Sequence, residues 1–419
     1  MQSLCENFGI SKKMVDLAKV ALDNCRESFA AIERITRHRQ QLVLKAFIDN
    51  GVSESHFNSS TGYGYNDRGR DTLDIVAAQA LMCEDAIFRH SFVSGTHALT
   101  VALFGVLRPG DTMLCVTGTP YDTLRGVIGI NEGCGTLKDF GINYKEIPLL
   151  DDGTVDLASI PGAITDDVKM VYIQRSRGYD LRPSLTVSDI EKIVKATRSA
   201  GKDVIIMVDN CYGEFVCENE PCSVGVDLMA GSLIKNPGGG IAPTGGYIAG
   251  KRELVEMCAC RLTTPSTGRE IGCTLGHTRE LFMGLYNAPH AVGEALKTAE
   301  FCASLFTLMG FKTAPCAGTV RGDIIQSVLL ENRERLIAFC RGIQSGSAVD
   351  SFALPEPDAM PGYDCDIIMA SGSFTLGSSI ELSADAPLRD PFAVWMQGGL
   401  NFDSAMVGIL LAADAADKI

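Results

Sequence analysis

The chain has 419 residues, 46% of them hydrophobic, with a formal net charge of −14. That length exceeds one ordinary core and predicts two domains or one large α/β unit. The acidic balance argues against a general nucleic-acid binder, and no apolar run reaches the ~18–20 residues that span a membrane.

The first thirty residues carry several charges and no uninterrupted apolar stretch, so no secretory signal peptide is expected. Residues 11–49 read as two amphipathic helical stretches, the second placing Arg34, Arg37 and Arg39 on a solvated face. Residues 61–70, Thr-Gly-Tyr-Gly-Tyr-Asn-Asp-Arg-Gly-Arg, break that period and predict an ordered loop. From Asp71 to Ile248 helices alternate with short apolar runs. Helix 71–84 precedes an apolar run from Ala86, then helix 96–107 and strand 112–116. Strands 169–173 and 204–208 flank helix 189–200. This βαβ rhythm predicts an α/β fold with a mostly parallel sheet. Helical periodicity returns over 279–309, with Pro289 as an expected kink. Strand-like pieces follow at 323–329, 366–370 and 379–382, and a last helix at 401–418. The expected division is an N-terminal helical segment over 1–60, a cofactor-binding domain over 61–285, and a small α+β domain over 286–419 completed by the linking helix.

The 15 cysteines lie scattered through core-like segments such as Met113-Leu-Cys115-Val, which suits a reducing cytosol. A cytoplasmic protein is therefore expected. Neither Cys258-Ala-Cys260 nor Cys217 with Cys222 has the spacing and histidine partner of a zinc site, so no metal is expected.

Lys235 stands in Ala230-Gly-Ser-Leu-Ile-Lys-Asn-Pro-Gly-Gly-Gly240. A lysine in such an apolar, glycine-rich stretch is costly to bury as a cation and useful as a Schiff-base amine. Upstream, the run from Asp203 ends in a carboxylate, Asp209. That pairing is the one pyridoxal phosphate enzymes use: the lysine holds the aldehyde carbon, and the aspartate keeps the ring nitrogen protonated. Ser94-Gly95-Thr96 sits where a strand turns into a helix, a phosphate-binding place, although an ordinary helix cap uses the same residues. Ser232 can add a hydroxyl to that phosphate. Tyr121, after the next strand, suits an aromatic stacked on the cofactor ring. Tyr63, Tyr65 and Arg70 give their loop aromatic and guanidinium character, fit for a phosphate contact across a subunit interface. Local ion pairs with Asp67 and Asp71 are the plainer account of that loop. His97, in the first turn of its helix, reads as a structural donor.

Several segments match one family. They are Gly62 to Arg70, Ser94-Gly-Thr-His-Ala98, Gly118-Thr-Pro-Tyr-Asp-Thr123, Gln174 to Tyr179, Val208 to Phe215, Gly231 to Gly240, Gly377 to Asp385 and Met396 to Leu400. Together they resemble fold-type I pyridoxal phosphate enzymes of cysteine and methionine metabolism. The closer resemblance is to the methionine gamma-lyase-like family, also described as cystathionine beta-lyase-related aluminium-resistance proteins. The resemblance implies a transferase-like fold with a smaller C-terminal domain, and a homodimer or homotetramer with shared active sites. It implies carbon–sulfur elimination from an amino acid, giving thiol, keto acid and ammonia. Lys235 would carry the cofactor and act as base. A guanidinium would hold the substrate carboxylate, with Arg389 the first candidate and Arg321 the second. An aldolase or aminotransferase reaction, or cofactor binding without turnover, would use the same lysine and aspartate.

Overall fold

The structure is a computed structural model that describes residues 2–359 and 365–419. The chain divides into two compact units. One is His38–Ala288, and the other joins the N-terminal residues through Arg37 to Pro289–Ile419. Residues 1–60 are thus split between the units rather than forming a segment of their own. The reason is packing: Leu4, Met14, Val15 and Ala18 are buried in one cluster with Phe301, Leu305 and Phe306.

The larger unit holds seven strands: β1 (Asp85–Arg89), β2 (Thr112–Cys115), β3 (Asn143–Glu146), β4 (Val168–Gln174), β5 (Ile205–Asp209), β6 (Leu228–Ser232) and β7 (Gly246–Gly250). Their order across the sheet is β1-β7-β6-β5-β4-β2-β3. Neighbours from β3 to β6 are parallel, and β7 runs antiparallel to both β6 and β1. Buried parallel strands read as continuous apolar runs, which is why β4 and β5 were legible. β3 was not, because Asn-Tyr-Lys-Glu is a largely exposed edge. β6 and β7 were missed because each contains or begins with glycine. The helix Gly95–Val106 lies on this sheet, burying Ala98, Leu99, Ala102 and Leu103 against Met113, Tyr172, Met207 and Ala230.

In the other unit β8 (Lys312–Ala314), β9 (Gln326–Leu329), β10 (Ile367–Ser371), β11 (Ser383–Pro387) and β12 (Ala393–Gln397) form a sheet in the order β10-β11-β12-β9-β8. Every pairing in it is antiparallel. Helices Arg333–Ser345 and Phe402–Asp417 contribute Phe339, Ile343, Ile409 and Leu410 to its core. The expected strand at 379–382 does not form. Glu381 there accepts the main-chain N–H groups of Phe374 and Thr375, closing a loop, and pairing starts at Ser383.

Two further expectations change. Arg34 and Arg37 are exposed, but Arg39 is fully buried and pairs with Glu220 at 2.8 Å, donating also to the Ala80 carbonyl. The helix expected from 71 begins at Arg68, because the Asp67 side chain accepts the Arg70 N–H and caps it.

Candidate active site

The parallel strands deliver polar residues at one edge of the sheet, where their carboxyl ends meet the turns into helices. Gln174 on β4, Asp209 on β5 and Ala230 on β6 are in register. Asp209 is buried; its carboxylate accepts the Cys211 N–H at 3.1 Å and lies 3.5 Å from the Tyr172 hydroxyl. Burial raises its pKa, and the nearby Lys235 cation pulls part of that back.

Lys235 follows β6 and is half-buried. Its ammonium lies 3.9 Å from the centre of the Tyr212 ring. Burial opposes the charge, but Cys211, Tyr212, Asp209 and Tyr121 around it prevail and hold the amine above the ordinary lysine range. Tyr212 takes a positive φ of 69°, so the chain turns sharply after Asp209 and brings its ring back over the amine.

The turn after β1 supplies the second half of the site. Ser94 caps the helix Gly95–Val106 by accepting the His97 N–H. A Cβ on Gly95 would sit 2.9 Å from Cβ of Ser232 and 3.5 Å from Sγ of Cys211, so only glycine lets these turns close on each other. The Thr96 hydroxyl is 3.1 Å from that of Tyr121. Tyr121 is fixed through its main-chain N–H, which donates to Gln174. Burial raises the Tyr121 pKa, so its phenol stays neutral at physiological pH. His97 differs from the expected donor: its Nδ1 accepts the Val93 N–H, and burial lowers its pKa.

Gly95, Thr96, Tyr121, Asp209, Ser232 and Lys235 are thus brought together. These residues fit pyridoxal phosphate. A helix N-terminus with hydroxyls at Thr96 and Ser232 suits its phosphate, a buried carboxylate suits its ring nitrogen, and an amine stands between them.

Arg70 differs from expectation. Its guanidinium is buried and donates to the carbonyls of Gly64, Gly272 and Glu270 and to the Asp71 carboxylate. All its nitrogens are engaged inside its own chain, so it holds the loop rather than reaching out to a phosphate. The tyrosines it supports point outward: Tyr63 is 72% and Tyr65 59% exposed. Gly64, at a φ of 64°, has no room for a side chain, since a Cβ would lie 2.7 Å from Cα of Cys273.

Arg321 and Arg389 belong to the other unit. Arg321 is buried against Glu300 at 3.2 Å and Gln326 at 2.8 Å, whereas Arg389 is exposed. Sequence reasoning missed Gln174, Tyr212 and Glu214. All three lie in the segments Gln174–Tyr179 and Val208–Phe215, but no spacing rule gives them a role.

Comparison with known proteins identifies the family. The model of the family described as Methionine gamma-lyase matches residues 14–417. The Bacillus subtilis protein YnbB is 47% identical over 386 residues, 92% of each chain. The L-methionine gamma-lyase of Pseudomonas putida is 26% identical over 207 residues, 49% of this chain and 48% of that one. A crystal structure of a carbon–sulfur lyase involved in aluminium resistance from Clostridium novyi superposes with a TM-score of 0.95 at 47% identity, covering 99% of this chain and 98% of that one. Cystathionine gamma-lyase from yeast shares the fold, with a TM-score of 0.60 at 14% identity over 90% of this chain and 98% of its own. The chain belongs to the methionine gamma-lyase family and is a fold-type I, pyridoxal-phosphate-dependent carbon–sulfur lyase.

Proposed function

We propose that this lyase removes a thiol from the β- or γ-carbon of a sulfur-containing amino acid, with Lys235 as the residue that carries the cofactor. One water is consumed, and the products are a thiol, a 2-keto acid and ammonia. The observation that carries the reading is the convergence of Lys235, Asp209 and Tyr121 on the turns that also present Gly95, Thr96 and Ser232. The cofactor supplies an electron sink for the α-carbon. The chain's own residues do the rest. Lys235, which would hold the cofactor, would accept the substrate α-proton on its amine. Asp209 keeps the ring nitrogen protonated. The first turn of the helix Gly95–Val106, with Thr96 and Ser232, anchors the phosphate. Tyr121 would cover one face of the ring. Arg389 is the first candidate for the substrate carboxylate and Arg321 the second.

The same reading makes the protein a cytoplasmic homo-oligomer whose exposed Tyr63 and Tyr65 serve the neighbouring subunit. It is supported by the acidic, cysteine-bearing composition and by the outward tyrosines. No helix among the described residues is long and apolar enough to cross a membrane.

The test uses purified protein with pyridoxal phosphate and a panel of cystathionine, cysteine and methionine. Thiol and keto acid should appear, borohydride followed by peptide mapping should tag Lys235, and Asp209→Asn should lose about a hundredfold or more in turnover, an effect of ~3 kcal/mol. Release of an aldehyde would point to an aldolase. A tag without product would mean a binding protein, and a tag on another lysine would overturn the assignment of Lys235.

A further inference from the structure

Glu214 is a buried acid that the reaction described above does not use. It lies five residues after Asp209, and its side chain is wholly excluded from solvent. Its Oε1 accepts the Tyr247 hydroxyl at 2.9 Å. That same hydroxyl accepts Nδ2 of Asn210 at 3.2 Å, and Asn210 is the residue after Asp209. Asn210 Oδ1 in turn accepts the Arg175 guanidinium at 2.7 Å. On the other side, the main-chain carbonyl of Glu214 accepts Nδ2 of Asn236, the residue after Lys235, at 3.0 Å. A Cβ on Gly231 would fall 2.4 Å from Oε1, so the carboxyl lies directly against β6, one residue before Ser232. The Glu214 side chain therefore meets β6 at Gly231 and β7 at Tyr247, reaches the end of β5 through the Tyr247–Asn210 bond, and its main-chain carbonyl holds the residue after Lys235.

Two buried oxygens in this cluster have no hydrogen-bond partner: Oε2 of Glu214 and Oδ1 of Asn236. An ionised carboxylate would leave both short of a donor. A carboxylic acid gives Oε2 a proton to donate, which the ionised form lacks. The surrounding charges are Arg175 and Arg39, which share Glu220 at 3.6 Å and 2.8 Å, with Tyr247 and Cys211 as the other titratable neighbours. Burial first, with Glu220 adding to it, pushes the Glu214 carboxyl up to about 8 against the pull of its own N–H, Tyr247 and Arg175.

We propose that Glu214 is a positioning residue that works as the carboxylic acid, fixing the Asp209 and Lys235 turns to each other through Tyr247, Asn210 and Asn236. Ionising it adds a negative charge to this buried cluster beside Glu220 and removes the donor on Oε2. This rests on the assignment of pyridoxal phosphate to Lys235 and Asp209, and goes beyond it.

The test compares wild type, E214Q, E214A and Y247F as cofactor-loaded proteins. Retention of pyridoxal phosphate and the visible absorbance of the bound cofactor are followed from pH 6 to 10. Glutamine is uncharged at every pH and has a donor where the acid has its proton. E214Q should therefore hold the cofactor at pH 7, and an absorbance change expected in wild type as Glu214 ionises near pH 8 should be missing from it. E214A should raise the cofactor dissociation constant about tenfold, the order of one lost buried bond. Y247F, which keeps the acid but removes the bonds to Glu214 and from Asn210, should also weaken retention and shows the effect even if E214A fails to fold. If E214Q releases the cofactor as readily as E214A, the charge is what matters and the proposal fails. It fails equally if wild type and E214Q titrate alike. The borohydride tag reports separately on Lys235, so failure of that assignment and failure of this proposal are told apart.

Discussion

The Lys235 ammonium lies 3.9 Å from the centre of the Tyr212 ring, on the chain turn that begins at Asp209. A ring face attracts a cation by about 1 kcal/mol or more when water is excluded. It therefore helps to keep the resting amine protonated. Tyr212→Ala should lower the pKa of that amine in the cofactor-free protein. Acylation of Lys235 by a small reagent at fixed pH should then speed up about fivefold, equivalent to ~1 kcal/mol. Tyr212→Phe keeps the ring and should react like wild type. Equal acceleration in both variants would show that the phenol, not the ring face, is responsible.

Gly95 and Ser232 meet where two turns close, and the space between them is smaller than a methyl group needs. Gly95→Ala should cost about 1–3 kcal/mol in overpacking and weaken pyridoxal phosphate binding, measured by equilibrium dialysis. Ser232→Gly removes the atom that clashes. The double variant should bind the cofactor better than Gly95→Ala alone, a coupling that two independent sites would not show.

Lys235 and Asp209 were legible because each breaks a strong local pattern: a cation in a glycine-rich apolar turn, and a carboxylate at the end of an apolar strand. Gly95 and Thr96 were legible from the strand-to-helix transition. Tyr212 was not, because its position depends on a positive φ that no neighbouring residue announces. Glu214 and Arg39 were hidden for a different reason. Their burial depends on partners distant in sequence, Tyr247 and Glu220, and a single charged residue in a mixed segment reads as surface. Arg70 shows the converse error. Its guanidinium suits a phosphate, but its acceptors are carbonyls at 64, 270 and 272, and main-chain acceptors leave no mark in a sequence.

Asp67 ties the start of the helix Arg68–Ala80 to the same loop. Burial alone would raise its carboxyl, but bonds from the Arg70 N–H, Ser60 and Thr274 hold it below the ordinary aspartate value. A lowered folded pKa stabilises the protein above the unfolded value of about 3.9 and loses that contribution as pH falls through the folded one. Asp67→Ala should therefore cost about 1 kcal/mol near neutrality, the usual worth of a helix cap. The gap in thermal stability between variant and wild type should shrink below pH 4. A gap that stays constant into acid would mean that the carboxylate charge contributes nothing.

Tyr63 and Tyr65 stand with ring centroids 5.6 Å apart on a turn that Arg70 fastens from beneath. Two large exposed rings on a turn held rigid by a buried guanidinium are suited to meeting another surface. If that surface is the neighbouring subunit's cofactor site, the tyrosines of one chain complete the lysine site of the other. A chain carrying Tyr63→Ala and Tyr65→Ala should then be nearly inactive, as should a Lys235→Ala chain. After unfolding together in equal amounts and reassembly, half the dimers are mixed and each has one site with both an intact lysine and intact tyrosines. Activity should recover to about a quarter of wild type for a symmetric dimer assembled at random. Arg70→Ala in place of the tyrosine changes should complement in the same way but less fully, because leaving the carbonyls of Gly64, Gly272 and Glu270 without their donor also costs about 1–3 kcal/mol in stability. If each site is built within one chain, mixing restores no activity at any ratio, and the tyrosines belong to the surface of their own subunit.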